Sequence, residues 1–221
     1  FRNGSMYLTY TNEGMPIGAF WGYKTDGLIQ TQEQLNAVKR ADFQPNAELG
    51  DVLFVDTNGD GKLDSSDRCM IGNPIPDIIY GINMGMAWKG FDLNLQFGGT
   101  IGNQIFNAMR YYTYFPNDIT NKDRALMNYW TPNNTNTDIP RLTATDVNDN
   151  DRFSDMYVEN GTYFRLRNAQ LGYTLPASLT QRIKLQKVRF YVSGQNLFTI
   201  SSYSGMDPEV GQSSSLSRGI D

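Results

Sequence analysis

Two runs of alternating apolar and polar residues, separated by a two-residue turn, constrain the fold of this 221-residue chain more than any other feature. They occupy residues 78–100, with the sequence IIYGINMGMAWKGFDLNLQFGGT. A turn at Lys89-Gly90 sets the register of the two strands. In that register one face pairs 88 with 91, 86 with 93, 84 with 95 and 82 with 97, all apolar, and the other face pairs 87 with 92, 85 with 94 and 83 with 96, all small or polar. Because a slip of one residue would mix the two faces, the sequence predicts an antiparallel hairpin in this register.

Three further segments read as strands, at 15–24, 163–174 and 187–200. In the last segment Val188, Phe190 and Val192 alternate with the polar or amphipathic residues Arg189, Tyr191, Ser193 and Gln195. These lengths are near the 9–11 residues that a tilted transmembrane β-strand needs. Because Lys is unfavourable in a type I′ turn, a bulge containing Gly90 is an alternative to the simple turn at 89–90.

The connections between these strands are very unequal in length. The turn at 89–90 has two residues and 175–186 is of medium length, with a helical turn opened by Ser178, whereas 25–77 and 101–162 are long. Short turns on one side and long loops on the other are typical of outer-membrane barrels. On this interpretation 89–90 and 175–186 are periplasmic, and 25–77, 101–162 and 200–221 are extracellular. A soluble β-sandwich has hairpins with the same two-faced pattern, so the pattern alone leaves both folds open.

Composition removes several classes of function. The net charge of −4 and the pI near 4.9 give no support for nucleic-acid binding. The chain has no histidine, which excludes catalytic triads and His-ligated metal sites. With Cys69 as its one cysteine, it forms no intrachain disulfide, and no run of 18 apolar residues predicts a transmembrane helix. The chain begins with neither Met nor a signal peptide, and we therefore expect it to be a fragment.

The sequence DTNGDGKLDSSD at 56–67 resembles a twelve-residue calcium loop. The candidate ligands at positions 1, 3, 5, 7, 9 and 12 are Asp56, Asn58, Asp60, Lys62 through its carbonyl oxygen, Asp64 and Asp67. Gly61 at position 6 permits the sharp turn. The strand-like residues 53–55 precede the loop where an EF-hand has a helix, so we expect a structural Ca²⁺ site that staples a long loop. The alternative is an Asp/Asn/Gly turn that binds nothing.

Two other segments carry weaker indications. The segment 103–130 is rich in aromatic residues, and Tyr111, Tyr112 and Tyr114 suit either stacking on sugar rings or packing within the loop. The acidic stretch 146–155 is predicted to be a solvated loop. No pair of carboxylates forms a recognisable catalytic dyad, so the sequence predicts no catalytic residue and no cofactor other than Ca²⁺.

Several segments together resemble SusC/RagA-type TonB-dependent outer-membrane transporters, in their C-terminal portion. The resembling strings lie, in the order of the family, at 13–28, 50–68, 71–103, 129–142, 157–176 and 188–211. They cover most of the chain, and the combination is specific although no single string is. The resemblance favours the barrel over the sandwich, which periodicity alone does not.

The resemblance implies an all-β fold for 1–221: antiparallel strands from a large transmembrane β-barrel with long extracellular loops. It implies no enzymatic activity but nutrient import across the outer membrane of a Gram-negative bacterium. The substrates would be glycan oligosaccharides or peptides, and the partners a SusD-like lipoprotein, the TonB complex and outer-membrane lipid. Such a barrel has about 22 strands around a plug, far more than this chain supplies. We therefore expect the plug, and the last strand after Ser217–Asp221, to lie outside this chain. The runner-up is a secreted, calcium-stabilised β-sandwich that binds carbohydrate, and a glycan hydrolase ranks third.

Overall fold

The computed structural model describes residues 2–3, 6–114, 121–181 and 184–209. Strands dominate this part of the chain. In chain order they are β1 (Arg2–Asn3), β2 (Met6–Tyr7), β3 (Thr9–Tyr10), β4 (Ala19–Gly22), β5 (Thr25–Leu28), β6 (Val52–Phe54), β7 (Cys69–Gly72), β8 (Ile78–Trp88), β9 (Phe91–Ile101), β10 (Gln104–Phe106), β11 (Val158–Asn160), β12 (Tyr163–Thr174) and β13 (Arg189–Ser201). The helices are α1 (Gln32–Arg40), α2 (Ala108–Thr113) and α3 (Ala177–Thr180), with 3₁₀ turns at Ser65–Asp67, Arg124–Asn128 and Asp155–Tyr157. Across the described ranges, no helix is both long and apolar enough to cross a membrane.

The chain divides into two compact units, which are described separately. The sheet unit comprises 76–103 and 160–203, and the loop unit comprises the described parts of 1–75, 104–159 and 204–221. The long connections 25–77 and 101–162 therefore fall mainly in the loop unit. The described residues do not include 115–120, 182–183 and 210–221. The final part of the predicted segment 200–221, which contains 217–221, therefore lies outside them.

The sheet unit is a four-stranded antiparallel sheet in the order β13-β12-β9-β8. The register of β8 and β9 is the predicted one, with Trp88 opposite Phe91 and Ile82 opposite Phe97. Lys89 and Gly90 both have positive φ, 46° and 89°, as a type I′ turn requires. The pairing of β8 with β9 is continuous, so the alternative of a bulge at Gly90 is wrong.

The two faces of this sheet differ sharply in polarity. One face carries apolar side chains on all four strands, and many are exposed: Met86 65%, Trp88 66%, Phe190 63%, Val192 67% and Ile200 65%. A β-sandwich would bury this face against a second sheet. Within the described residues the sheet unit contains no second sheet.

The opposite face is polar and is held by cross-strand contacts. Arg189 on β13 donates from Nε to Asp92 Oδ1 on β9 at 3.0 Å, reaching across Gly172 of β12. A Cβ atom at Gly172 would lie 2.6 Å from both side chains, so only glycine leaves room for this ion pair. A bulge near Arg167 interrupts β12 between Leu166 and Asn168, and this accounts for the imperfect alternation of its sequence.

The predicted strand at 15–24 is much shorter in the structure and belongs to the loop unit. β4 covers Ala19–Gly22 and lies in a three-stranded sheet in the order β3-β4-β7. Ala19 and Phe20 are both fully buried and Trp21 is half-buried, so both faces of this strand pack against protein. The prediction of a barrel-length strand here was wrong, because a short run of aromatic and glycine residues also suits a small buried sheet.

The loop unit is held by several small apolar clusters. Phe20, Phe106, Phe153 and Tyr157 pack together with Leu8. A second cluster contains Leu28, Phe43, Val52, Phe54 and Trp130, and a third contains Ile29, Leu35 and Ala47. Helix α1 begins in a capping box, in which Thr31 and Gln34 each bond the other's backbone N–H, and it contributes Leu35 to the third cluster. The two long connections share part of this core, since Trp130 of 101–162 packs with Leu28 and Val52 of 25–77.

Helix α3 differs slightly from its prediction. It begins at Ala177 after Pro176, so Ser178 lies inside the first turn and does not cap the helix. No side chain caps its N-terminus.

Candidate functional sites in the loop unit

The calcium-type loop follows β6 and ends in the 3₁₀ turn Ser65–Asp67. Asp56 at its first position accepts hydrogen bonds from the backbone N–H groups of Gly59, at 2.6 Å, and Gly61, at 2.9 Å. The Gly61 N–H is the main reason why the pKa of Asp56 lies below its usual value. Gly61 itself has φ +76°, the left-handed conformation for which glycine is suited.

Asp67 closes the other end of this loop. Its side chain is completely buried and accepts from the N–H groups of Thr57 and Asp64, both at 3.0 Å. Asp64 caps the 3₁₀ turn by accepting from the Ser66 N–H at 2.7 Å, and this bond lowers the pKa of Asp64. The bonds between the first and last turns make 56–67 a compact closed loop.

The predicted ligands are brought to the same loop but are not arranged around a common centre. Asn58 and Asp60 bond each other at 3.1 Å, and Asp60 also accepts the Lys62 N–H at 2.9 Å. In the described part of the chain no group of three or more His, Cys, Asp or Glu side chains is placed to hold a metal ion. The oxygen-rich donor set suits Ca²⁺, but the carboxylates of Asp56 and Asp67 are occupied by backbone N–H groups.

The stretch 146–155 is only partly the solvated loop that the sequence predicted. Asp149 and Asp151 are exposed, whereas Asn148 and Asn150 are 4% and 1% exposed. Asn150 Oδ1 accepts the Val52 N–H at 2.8 Å, and Asn148 Oδ1 accepts from Gln44 at 3.1 Å. Buried amides that satisfy a strand's backbone groups explain why this polar segment packs inward.

A buried ion pair lies beside these amides. Asp51 has no exposed surface and accepts from Arg141 Nε at 2.6 Å and from Asn150 Nδ2 at 3.1 Å. Glu48 also reaches the Arg141 guanidinium, at 2.9 Å. The sequence reasoning missed this site, since no local pattern joins residues separated by 90 positions.

The aromatic segment packs largely within the loop unit, as one of its two interpretations predicted. Tyr111 meets the ring of Tyr157 at 5.0 Å, and Trp130 is 5% exposed. Burial raises the pKa of Tyr111 to about 12. Tyr112 is 46% exposed and Tyr114 is half-buried.

A cavity of about 380 Å³ opens in the loop unit. Its lining combines apolar, hydroxyl, amide and charged residues: Thr25, Gly27, Leu28, Gln30, Val52, Arg110, Thr137, Asp138, Asp155, Met156, Val158 and Glu159. This volume lies within the usual range of small-ligand sites. Among the twelve lining residues, none belongs to the predicted site 56–67, and no single segment of sequence marks the cavity.

Comparisons with known proteins relate both units to one family. No family model matches the chain. The TonB-dependent receptor P3 of Formosa agariphila is 39% identical over 201 residues, which are 89% of this chain and 19% of that receptor. TonB-dependent receptor SusC of Bacteroides thetaiotaomicron is 30% identical over 76% of this chain and 16% of its own. The solved structure of the RagAB peptide transporter matches with a TM-score of 0.69 at 25% identity, covering 93% of this chain and 22% of the other.

The chain is homologous to one segment of the SusC/RagA-type TonB-dependent receptors. It spans about a fifth of the length of the curated relatives that it matches. This confirms the resemblance and the predicted fold class, an incomplete set of antiparallel barrel strands with long loops. SusC/RagA-type receptors reside in the cell outer membrane, which confirms the predicted localisation, and they are transporters and not enzymes.

Proposed function

We propose that the receptor to which this segment belongs imports nutrients across the outer membrane. The observation that carries the proposal is the four-stranded sheet, which exposes a continuous apolar face and keeps a polar face behind it. A sheet with these faces suits a barrel wall between lipid and an aqueous or plugged interior. The names of the relatives, TonB-dependent receptors and a peptide transporter, support the same activity.

In this proposal the two units have different positions. The sheet unit forms part of the barrel wall, with the turn at 89–90 and the connection 175–186 on the periplasmic side. The connections 25–77 and 101–162 lie on the extracellular side, where the loop unit contacts substrate and a SusD-like lipoprotein. The TonB complex acts through parts of the receptor outside this segment.

The experiment uses the full-length receptor in its own Gram-negative host. Deletion of its gene should abolish uptake of a labelled nutrient, and inactivation of TonB should have the same effect while the receptor stays in the outer-membrane fraction. A tagged receptor should retain a surface lipoprotein on purification. Uptake that is unchanged in both mutants would refute the proposal.

The substrate class is either glycan oligosaccharide or peptide. Uptake of a fluorescent tripeptide library and of a fluorescent oligosaccharide set, measured in the same strains, separates them. A deletion that abolishes uptake of one set alone assigns the class.

We also propose that the loop 56–67 binds Ca²⁺ as a structural ion. Support comes from the oxygen donors at alternate positions and from Gly61 in the left-handed conformation. Binding requires the carboxylates of Asp56, Asp60 and Asp67 to exchange backbone N–H groups for the ion. After EDTA treatment, Ca²⁺ at a hundredfold excess over Kd should increase the free energy of unfolding of the receptor by about 2.7 kcal/mol. The melting temperature should rise accordingly. The variant Asp60→Ala should remove the shift, and an unshifted wild-type receptor would refute the site.

A further inference from the structure

The cavity in the loop unit has an apolar floor and a polar rim. Leu28 and Val52 lie at its base, 5% and 1% exposed, and Met156 and Val158 are half-buried beside them. The rim includes Asp138, whose side chain is 72% exposed. Buried apolar surface and exposed charge therefore line the same cavity.

The acidic side chains of the lining are held in fixed positions. Asp155 Oδ1 accepts from the Thr25 N–H at 3.1 Å and from the Thr25 hydroxyl at 2.6 Å. Glu159 accepts from the Ser204 N–H at 2.8 Å and from Asn107 Nδ2 at 2.9 Å. Hydrogen bonds from neutral groups therefore hold both carboxylates in place before a ligand arrives.

Charge within the cavity is unbalanced. The lining has three carboxylates, Asp138, Asp155 and Glu159, against one guanidinium, Arg110, which leaves two negative charges. Arg110 already bonds Asp138 and lies 3.7 Å from Glu159. In the described residues no lysine or arginine lies within ion-pair distance of Asp155. Excess negative charge beside buried apolar surface favours an incoming cation over a neutral ligand.

We propose that this cavity binds the organic cation of a peptide, an ammonium or guanidinium group, and so gives the receptor a preference for basic peptides. A lysine or arginine side chain suits it best, since its aliphatic stem contacts the apolar lining while its charged group meets a lining carboxylate. An N-terminal ammonium shares the cation but lacks the stem. A neutral sugar satisfies the hydrogen-bonding groups and leaves the charge uncompensated. The proposal rests on the import function above and narrows its substrate class.

The test is calorimetric titration of the full-length receptor, purified with its lipoprotein. The probes are acetyl-Ala-Lys-Ala-amide, its neutral norleucine analogue, Ala-Ala-Ala-amide with a free N-terminus, and maltotriose. We expect the lysine probe to bind at least about tenfold more tightly than the norleucine probe. Its affinity should fall as NaCl is raised from about 0.05 M to 0.5 M, because salt screens the exposed rim. Preferential binding of Ala-Ala-Ala-amide would assign the cation to the peptide N-terminus and would overturn the preference for basic side chains.

Two variants attribute the preference to the cavity. Asp138→Asn removes a rim charge at an exposed position, where folding should be preserved, and Asp155→Asn removes the carboxylate that has no cation nearby. Each variant should weaken the binding of the lysine probe several-fold and leave the binding of the norleucine probe unchanged. The control Glu33→Gln removes an exposed charge from α1, outside the lining, and should have no effect.

The outcomes separate this proposal from the transport proposal. Equal affinity for the lysine and norleucine probes, or tighter binding of maltotriose, overturns the cation site even if the receptor imports nutrients. Loss of the lysine preference in Asp138→Asn or Asp155→Asn, with Glu33→Gln unaffected, supports the site even if the uptake assay fails. An equal effect of all three variants also overturns it, because the effect would then be one of net charge.

Discussion

The sheet unit and the loop unit distribute polarity in opposite ways. On the sheet, Met86 and Phe190 expose 65% and 63% of their surface, while in the loop unit Asn150 and Asp51 expose 1% and none. A water-soluble domain would be expected to bury large apolar side chains such as Met86 and Phe190. The difference agrees with the proposal that hydrocarbon surrounds the sheet and water surrounds the loops.

The units also differ in how their long-range contacts are specified. In the sheet the hairpin register follows from one turn and a period of two. In the loop unit Gln44 bonds Asn148 across 104 positions, and Arg141 reaches Asp51 across 90. The loop unit therefore adds specific polar contacts between distant segments to its apolar clusters, whereas the sheet follows a repeated pattern.

The largest expected effect is from breaking the buried ion pair of the loop unit. Arg141→Met leaves the Asp51 carboxylate buried without its cation and should destabilise the loop unit by about 3–5 kcal/mol. Pulse proteolysis of the full-length receptor in urea measures this loss. Adding Asp51→Asn to the same variant should recover part of it, because the unpaired charge is then removed.

The exposed residue Lys39 provides the matched control for this variant. Lys39→Met removes a charge from the last turn of α1 and should change the stability by no more than about 0.5 kcal/mol. Equal protection of Arg141→Met and wild-type receptor would contradict the dependence of the loop unit on this contact. The sheet should still insert normally in every one of these variants.

A charge on the apolar face should harm the sheet and spare the loops. Met84 lies midway along β8, opposite Leu95, and Met84→Arg should cost about 2–4 kcal/mol if the face meets lipid. Asn94→Arg, on the polar face of β9, is the control and should be much milder. The readout is the fraction of receptor that reaches the outer membrane in a heat-modifiable form. Equal harm from the two variants would remove the distinction between the faces.

The sequence predicted the sheet far better than the loop unit, and the reason is physical. Each strand residue has its environment set by its own alternation and by one opposite neighbour, so the hairpin pairs and the range 163–174 agree with the structure. The segment 15–24 failed because Phe20 is buried by partners from elsewhere in the chain. Its local pattern contains no information about them.

The candidate sites show the same division. The loop 56–67 was found because all its donors lie within twelve consecutive residues, and its folding into a closed turn agrees with that pattern. The cavity escaped notice because its lining comes from separate segments between 25 and 159. Sites assembled from distant segments require the fold before they can be recognised.

The smallest expected effect concerns acid and the loop 56–67. Hydrogen bonds from Gly61 and Gly59 lower the pKa of Asp56, so its ionised form stabilises the folded loop. That contribution is fully present above the unfolded pKa, near 3.8, and is lost as pH falls through the lower folded value. In EDTA, hydrogen exchange of the Gly61 amide should therefore increase, relative to its intrinsic rate, as pH is lowered from about 5 to about 3.

The variant Asp56→Asn should flatten this acid dependence, because its side chain no longer ionises. Its Gly61 amide should exchange faster than that of the wild type at pH 5, since an amide group offers one acceptor oxygen where the carboxylate offers two. Asp26→Asn removes an exposed carboxyl outside the loop and should leave the profile unchanged. The profile of the sheet amides should be the same in all three proteins, because no Asp56 contact reaches them. A wild-type profile that is already flat would show that the folded loop does not depend on the charge of Asp56. The loop would then differ from the ion pair of Asp51.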